Sequence, residues 1–280
     1  MGELSPQDEA GTFRLQFAGD TFNTAWYLKQ YNADISVSYF TGLGTDAISN
    51  KLRDAISGAD ISTEYVIEVP DRTVGLYLIS LENGERSFSY WRGQSAARCL
   101  ASDPAALTQA IADHDIIYFS GITLAILDHD GRNTLLSALR KGRALGKVIA
   151  FDPNLRPRLW EDTDTMLQVI MAGAEVSDIV LPSFEDEATW FGDATPVATA
   201  NRYQTAGAHT VVVKNGADAI YHFGPGSEGT VSVPPISKIV DTTAECDLLC
   251  FLDTFSGYHQ IKMAVQDVEK TAFPTPWGVY

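Results

Sequence analysis

Between Ile116 and Lys214 the chain alternates between apolar runs of strand length and amphipathic runs of helix length, a rhythm that limits its fold more than any other feature. Ile116 to Ser120 precedes Thr134 to Leu145, Val148 to Asp152 precedes Met166 to Ala174, Ile179 to Pro182 precedes Glu185 to Phe191, and Thr210 to Lys214 follows. Strand, helix and strand in repetition imply right-handed crossovers and a parallel sheet covered on both faces. The expected fold is α/β, a doubly wound and mainly parallel sheet.

The segment from Glu64 to Arg92 breaks that rhythm. Tyr65 to Val69, Val74 to Ser80 and Ser87 to Trp91 are short β-branched and aromatic runs, and Glu82-Asn83-Gly84-Glu85 reads as a hairpin turn. A small antiparallel β lid at about residues 64–92 is expected, and lids exclude water from reactions that water would spoil. Both ends look incomplete. No full apolar strand precedes Phe17, although a doubly wound sheet usually opens with one, and after Val240 the alternation stops.

Composition narrows the function classes. A chain of 280 residues, 45% hydrophobic and 20% charged, is ordinary for a globular protein, and a net charge of -16 with no basic cluster argues against nucleic acid. Three cysteines without paired spacing read as reduced thiols of a cytoplasmic protein. No apolar run is long enough to span a membrane, and the opening residues lack the order of a signal peptide. The oligomeric state is left open, a homo-oligomer included.

Several stretches carry groups suited to a polar ligand. In Phe17 to Ala25, Gly19 and Asp20 stand just before a helical pattern with Asn23 one turn inside, an arrangement that serves either sugar hydroxyls or a helix cap. Tyr77, and Tyr90 with Arg92 two positions on, lie on the expected lid, where an arginine beside a phenol suits a carboxylate or is simply solvated. Phe151 to Trp160 leaves a strand with Asp152, Asn154, Arg156 and Arg158, at the sheet edge where ligands of parallel sheets bind. Leu181 to Glu187 offers Glu185, Asp186 and Glu187 to a magnesium ion or to the helix dipole, and Val211 to Ala219 ends a strand in Lys214 and Gly216. Asp128 to Asn133 lacks the spacing of a calcium loop and reads as a capped helix start, and the five histidines show no metal-binding spacing.

Taken in order, FAGDTFNTA, GLYLI, GERSFSYWRG, YFSGITLAIL, FDPNLRPRLW, LPSFEDEATWFGD, VVVKNGADA and VDTT resemble the successive blocks of 2-keto-3-deoxygluconate kinases, in the ribokinase-like carbohydrate kinase family. The resemblance runs from about Gly2 to Thr243 and implies a Rossmann-like α/β domain with a β lid, ATP and Mg2+ as cofactors, and phosphorylation of a sugar acid. It implies that Gly19, Asp20 and Asn23 hold the sugar acid, that Tyr77 and Tyr90 line its pocket, and that Arg92 and Arg156 pair with its carboxylate. Ser183, Lys214 and Gly216 would lie near the nucleotide, Asp186 near the metal, and Asp247 would be the catalytic base.

The chain departs from the family at VDTTAECD, where small residues should form a helix N-terminus cradling the transferred phosphoryl group. Glu245 and Cys246 stand in their place; a carboxylate there repels phosphate and a side chain removes glycine's freedom. Cys246 to Tyr280 resembles a short piece of a retrotransposon reverse transcriptase, with Asp253 in the position of its first metal-binding acid. The expectation is an incomplete kinase domain over residues 1–245, truncated in its C-terminal part, followed by a foreign segment over 246–280. Turnover is expected to be impaired, with a catalytically inactive sugar-acid-binding remnant or a misjoined gene product as the alternative.

Overall fold

The structure, a computed structural model, describes residues 1–7, 9, 11–82 and 85–233, together with the short strands Pro274–Thr275 and Gly278–Val279, which pair antiparallel. In chain order the main elements are β1 (Gly2–Pro6), β2 (Phe13–Phe17), α1 (Asp20–Tyr31), β3 (Thr41–Leu43), α2 (Ala47–Gly58), β4 (Val66–Glu68), β5 (Leu76–Glu82), β6 (Glu85–Trp91), α3 (Pro104–Asp113) and β7 (Ile116–Ser120). They continue with α4 (Gly121–Ile126), α5 (His129–Ala144), β8 (Val148–Asp152), α6 (Thr163–Glu175), β9 (Ile179–Val180), α7 (Phe184–Trp190), α8 (Pro196–Ala206), β10 (Thr210–Val213), β11 (Ile220–Gly224) and β12 (Ser227–Val231).

Six strands form the main sheet in the order β12-β11-β10-β9-β8-β7. Those from β7 to β10 are parallel, as the alternating rhythm demanded, and β11 and β12 add an antiparallel edge. The parallel strands read as continuous apolar runs because helices cover both faces. Ile149, Phe151, Val180 and Val211 have no exposure, and Phe119 stacks on Phe151 at 4.6 Å between centroids. Burying a side chain of this size contributes about 1.5–3 kcal/mol. Side-chain caps set the helix starts: Asp128 accepts from the Gly131 N–H, Asp162 from that of Thr165 and Thr195 from that of Ala198. The Asp128 stretch is thus the capped helix start expected of it.

The lid differs from its expected boundaries. It is a four-stranded sheet in the order β2-β1-β5-β6, so the opening residues, too polar for a buried central strand, supply two lid strands. The Tyr65 to Val69 run leaves the lid; β4 instead pairs in parallel with β3. Strand periodicity reports which face is buried and not which strand is the neighbour, because pairing is nonlocal. Around β3 and β4 a second small core gathers Phe22, Leu43, Leu52, Ile56, Ile61 and Val74.

Candidate active site

The ends of β7, β8 and β10, with the loop after β9, bring Ser120, Asp152, Ser183 and Lys214 to one edge of the main sheet. Crossover connections force this arrangement, because every parallel strand must deliver its C-terminal end to the same side. The start of α1 reaches the same edge. Gly19 caps that helix at φ 149° and ψ 147°, and its N–H donates to the Asn23 carboxamide oxygen at 3.3 Å. Asp20 therefore does not act as the cap, which removes the simpler of its two readings. Its carboxylate turns inward, and both oxygens are sealed from solvent; the Ser120 hydroxyl lies near enough to favour its charge but does not meet hydrogen-bond geometry with either oxygen.

Burial pushes the Asp20 pKa up to about 6, and the charge of Asp152 adds to the rise; the Ser120 hydroxyl, Lys214 and Arg156 oppose it. Asp152 is buried as well. Its Oδ2 accepts from the Lys214 ammonium at 2.8 Å, while its Oδ1 has no partner. Two residues on, Asn154 is 3% exposed, holds φ at +36°, and leaves both carboxamide atoms buried without a partner. Among the described residues the five buried side-chain nitrogen and oxygen atoms without a partner all belong to Asp20, Asp152 and Asn154. Each such atom costs about 1–3 kcal/mol, so their collection at one sheet edge marks a recess built for a polar molecule.

Arg156 follows in the same loop at φ +43°, a left-handed conformation that costs a non-glycine residue about 1 kcal/mol or more. It keeps an exposed surface, yet the protein packed around it lowers its pKa, while Asp186, Asp20, Tyr90 and Asp152 lie near enough to oppose the drop. Arg92 comes in from the lid, its guanidinium 4.4 Å from the Tyr90 ring centroid. Burial lowers its pKa first, and the like charge of Arg156 lowers it further. Two guanidiniums that repel each other across a recess favour an anion between them. Tyr77 and Tyr90 pair across β5 and β6 with centroids 5.9 Å apart, and the Tyr77 hydroxyl donates to the Glu3 carboxylate. Burial and that carboxylate raise the Tyr77 pKa.

On the far side, Ser183 caps α7 and bridges to Lys214, and the carbonyl of Lys214 accepts from the Phe184 N–H at 2.8 Å. Gly216 is exposed at φ +56°, with open space where a side chain would sit. Asp186 is half-buried; burial raises its pKa against the pull of Arg156 and Lys214. Glu187, read in the sequence as available to a metal, is not. It is fully buried, bonded to Arg202 at 2.5 Å and to the Tyr203 hydroxyl at 3.0 Å, and burial lifts its pKa to about 7. Among the described residues no group of three acids, histidines or cysteines could hold a metal ion. Asp247, with Glu245 and Cys246, lies outside the described residues.

Ser120 was missed in the sequence. The available signal was that the apolar run Ile116 to Ser120 closes on a polar residue, as Val148 to Asp152 does; the structure then sets Ser120 opposite Asp152.

The model of the pfkB family carbohydrate kinases matches residues 3–244, which include every described residue of this site, from Gly19 to Gly216. The chain belongs to the pfkB family of carbohydrate kinases. It is 38% identical to the 2-dehydro-3-deoxygluconokinase of Escherichia coli strain K12, over 97% of this chain and 88% of that protein. The enzyme of the same name from Dickeya dadantii is 37% identical, over 91% of this chain and 84% of its own. Among solved structures, a PfkB protein from Polaromonas sp. JS666 superposes with a TM-score of 0.73 at 30% identity, covering 84% of this chain and 81% of that one. The ATP-bound fructokinase of Xylella fastidiosa has a TM-score of 0.75 at 21% identity over 86% of this chain and 74% of its own, which supports the fold. A pfkB kinase is a phosphotransferase, and the family implies ATP as donor. No helix among the described residues is long and apolar enough to cross a membrane.

Proposed function

We propose that this pfkB kinase transfers the γ-phosphoryl group of ATP to the 6-hydroxyl of 2-keto-3-deoxygluconate. The observation that carries the reading is the recess itself: buried, unpartnered oxygens and amide atoms of Asp20, Asp152 and Asn154 beside two mutually repelling arginines. A small acid bearing several hydroxyls satisfies both halves of that set. The relatives named 2-dehydro-3-deoxygluconokinase, at 36–38% identity over most of the chain, support the same substrate.

In this reading Arg92 and Arg156 clamp the carboxylate, Gly19, Asp20 and Asn23 take the hydroxyls, and Tyr77 and Tyr90 form a wall that excludes water. Ser183, Lys214 and Gly216 border the nucleotide phosphates. With Asp186 as the sole carboxylate assigned to it, a magnesium ion would be held largely by the phosphates, as this ion commonly is, and would neutralise their charge. Asp247 takes the proton of the 6-hydroxyl as its oxygen bonds to phosphorus, and ADP leaves. Such transfers depend on positioning and charge stabilisation, and losing one preorganised donor typically costs about a hundredfold or more. The sequence change at Glu245 and Cys246 therefore favours weakened turnover, and sugar-acid binding without transfer is the second reading.

We further propose that the kinase unit ends near residue 245 and that residues 246–280 are a joined reverse-transcriptase-like segment; the family match ends at residue 244, although the alignment to the E. coli relative spans 97% of the chain. A cytoplasmic location agrees with the small phosphorylated substrates.

Calorimetric titration with 2-keto-3-deoxygluconate, with and without magnesium-ATP, followed by a coupled assay for ADP, separates the readings. Binding with ADP release supports the kinase assignment, and binding without release supports the second reading. An absence of sugar-acid binding in a cooperatively folded sample refutes both.

A further inference from the structure

The loop after β8 is held in a conformation that its own residues disfavour. Among the described residues three besides glycine have positive φ, and two of them, Asn154 and Arg156, stand in this loop on either side of Leu155. Such strain persists only where the surrounding structure over-determines it. What does so here is a chain of contacts outside the recess. Leu155 has no exposure and packs in the main core, and its carbonyl accepts from the Trp160 indole N–H at 2.5 Å. A single 3-10 turn over Pro157–Leu159 joins the two residues.

Trp160 is held in turn by Arg132 of α5, whose guanidinium lies over its ring, 5.0 Å from a ring centroid. The Arg132 Nε–H donates to the Leu124 carbonyl in α4 at 2.9 Å, and Nη2 donates to the two oxygens of the Glu161 carboxylate at 3.0 and 3.1 Å. The arginine side chain is 6% exposed, that of Glu161 56%. Burying a guanidinium against a half-solvated partner is a poor route to stability, since an apolar side chain would fill the same space without desolvating a charge. The planar fork does what an apolar group cannot: it stacks on an indole and donates in two directions at once. It thereby ties the far end of the loop to α4, whose first residue, Gly121, comes up against the Pro153 carbonyl at the near end.

We propose that Arg132 is a positioning residue for the sugar-acid site: acting through Trp160 and the Leu155 carbonyl, it holds Asn154 and Arg156 in the backbone conformations that present them to the recess. Without it the loop relaxes toward the ordinary right-handed or extended regions, and the Arg156 guanidinium moves with the backbone. This inference rests on the substrate reading, because the carboxylate clamp is what gives the loop conformation its use.

The test compares the parent chain with Arg132→Met, with Trp160→Phe, which keeps a ring and loses the N–H, and with Arg143→Lys. Arg143 also lies on α5, but it donates to Asp178 and to the Glu175 and Gly207 carbonyls at the opposite edge of the main sheet, so it controls for general destabilisation. Calorimetry is run with 2-keto-3-deoxygluconate and with the analogue in which a hydroxymethyl group replaces the carboxylate. Arg132→Met and Trp160→Phe are each expected to weaken binding of the acid about tenfold or more and that of the analogue little, whereas Arg143→Lys keeps the parental ratio. The two loop variants combined should lose little more than either alone, since both act on one loop. Without ligand, amide hydrogen exchange over residues 154–160 is expected to quicken about tenfold or more in both loop variants and not in Arg143→Lys. Loop variants that keep the parental ratio of affinities, or that leave this exchange unchanged, overturn the proposal while the substrate reading stands. A parent chain that binds the acid no better than the analogue refutes the substrate reading and the proposal with it.

Discussion

The ammonium of Lys214 lies 2.8 Å from the Asp152 carboxylate, and each side chain is 5% exposed. The pair ties the end of β10 to the end of β8 across β9. Removing one partner strands the other's charge in the interior. Lys214→Met is expected to destabilise the chain by about 3–5 kcal/mol, and adding Asp152→Asn to recover part of that loss. Urea unfolding midpoints of the two single variants and the double variant check this; additive losses would mean that the charges do not interact.

Asp20 predicts a pH dependence of stability. Its carboxyl sits at about 6 in the folded chain against an ordinary value of 3.8, so ionisation opposes folding. The stability tied to the neutral acid is present in full below its unfolded value and is lost as pH rises through about 6. Asp20→Asn is expected to be more stable than the parent by roughly 2–3 kcal/mol at about pH 8, and to lose that advantage at about pH 4. Denaturant titrations at the two pH values decide it, and an equal difference at both would refute the assignment. The same variant is expected to bind the sugar acid more weakly, because the group that destabilises the empty site is the one offered to the hydroxyls.

The parallel sheet and its exit loops were legible because they depend on local runs: Val148 to Asp152 announces both a buried strand and the acid at its end. Arg92 beside Tyr90 was legible for the same reason, since positions two apart on a strand share a face. What could not be read is what depends on partners far along the chain. Tyr65 to Val69 has the composition of a lid strand, yet its neighbour is β3. Glu187 and Asp186 are adjacent in a helix, but only the three-dimensional packing shows that Arg202 and Tyr203 occupy the former. Asn154 carries no mark in the sequence that its carboxamide will be buried without a partner.

The two arginines can be separated from general polarity. Arg92→Gln and Arg156→Gln are each expected to weaken sugar-acid binding by roughly 10–100-fold, the usual worth of a hydrogen bond to a charged group. Binding of the analogue in which a hydroxymethyl group replaces the carboxylate should change little. Calorimetry with both ligands makes the comparison, and an equal loss for the two would assign the arginines to general packing. Because Arg156 is held at φ +43°, Arg156→Gly is expected to leave the fold intact and relieve backbone strain while still losing the acid.

Gly121 is the position at which the site depends most sharply on backbone approach. A β-carbon built there would lie 1.7 Å from the Pro153 carbonyl oxygen and 2.7 Å from the Ile170 side chain. The first neighbour is backbone and cannot rotate away. Gly121→Ala must therefore push the loop between Asp152 and Asn154 outward, away from Asp20 and the end of β7. The expected cost in stability is a few kcal/mol, in the range of overpacked cores. The expected loss of sugar-acid affinity exceeds that of Gly58→Ala, a helical position with open space around it, which should bind as the parent does and be no less stable. Thermal unfolding together with titration of the two variants tests this coupling. A Gly121→Ala chain that keeps parental affinity would show that the Asp152 loop is not part of the binding surface.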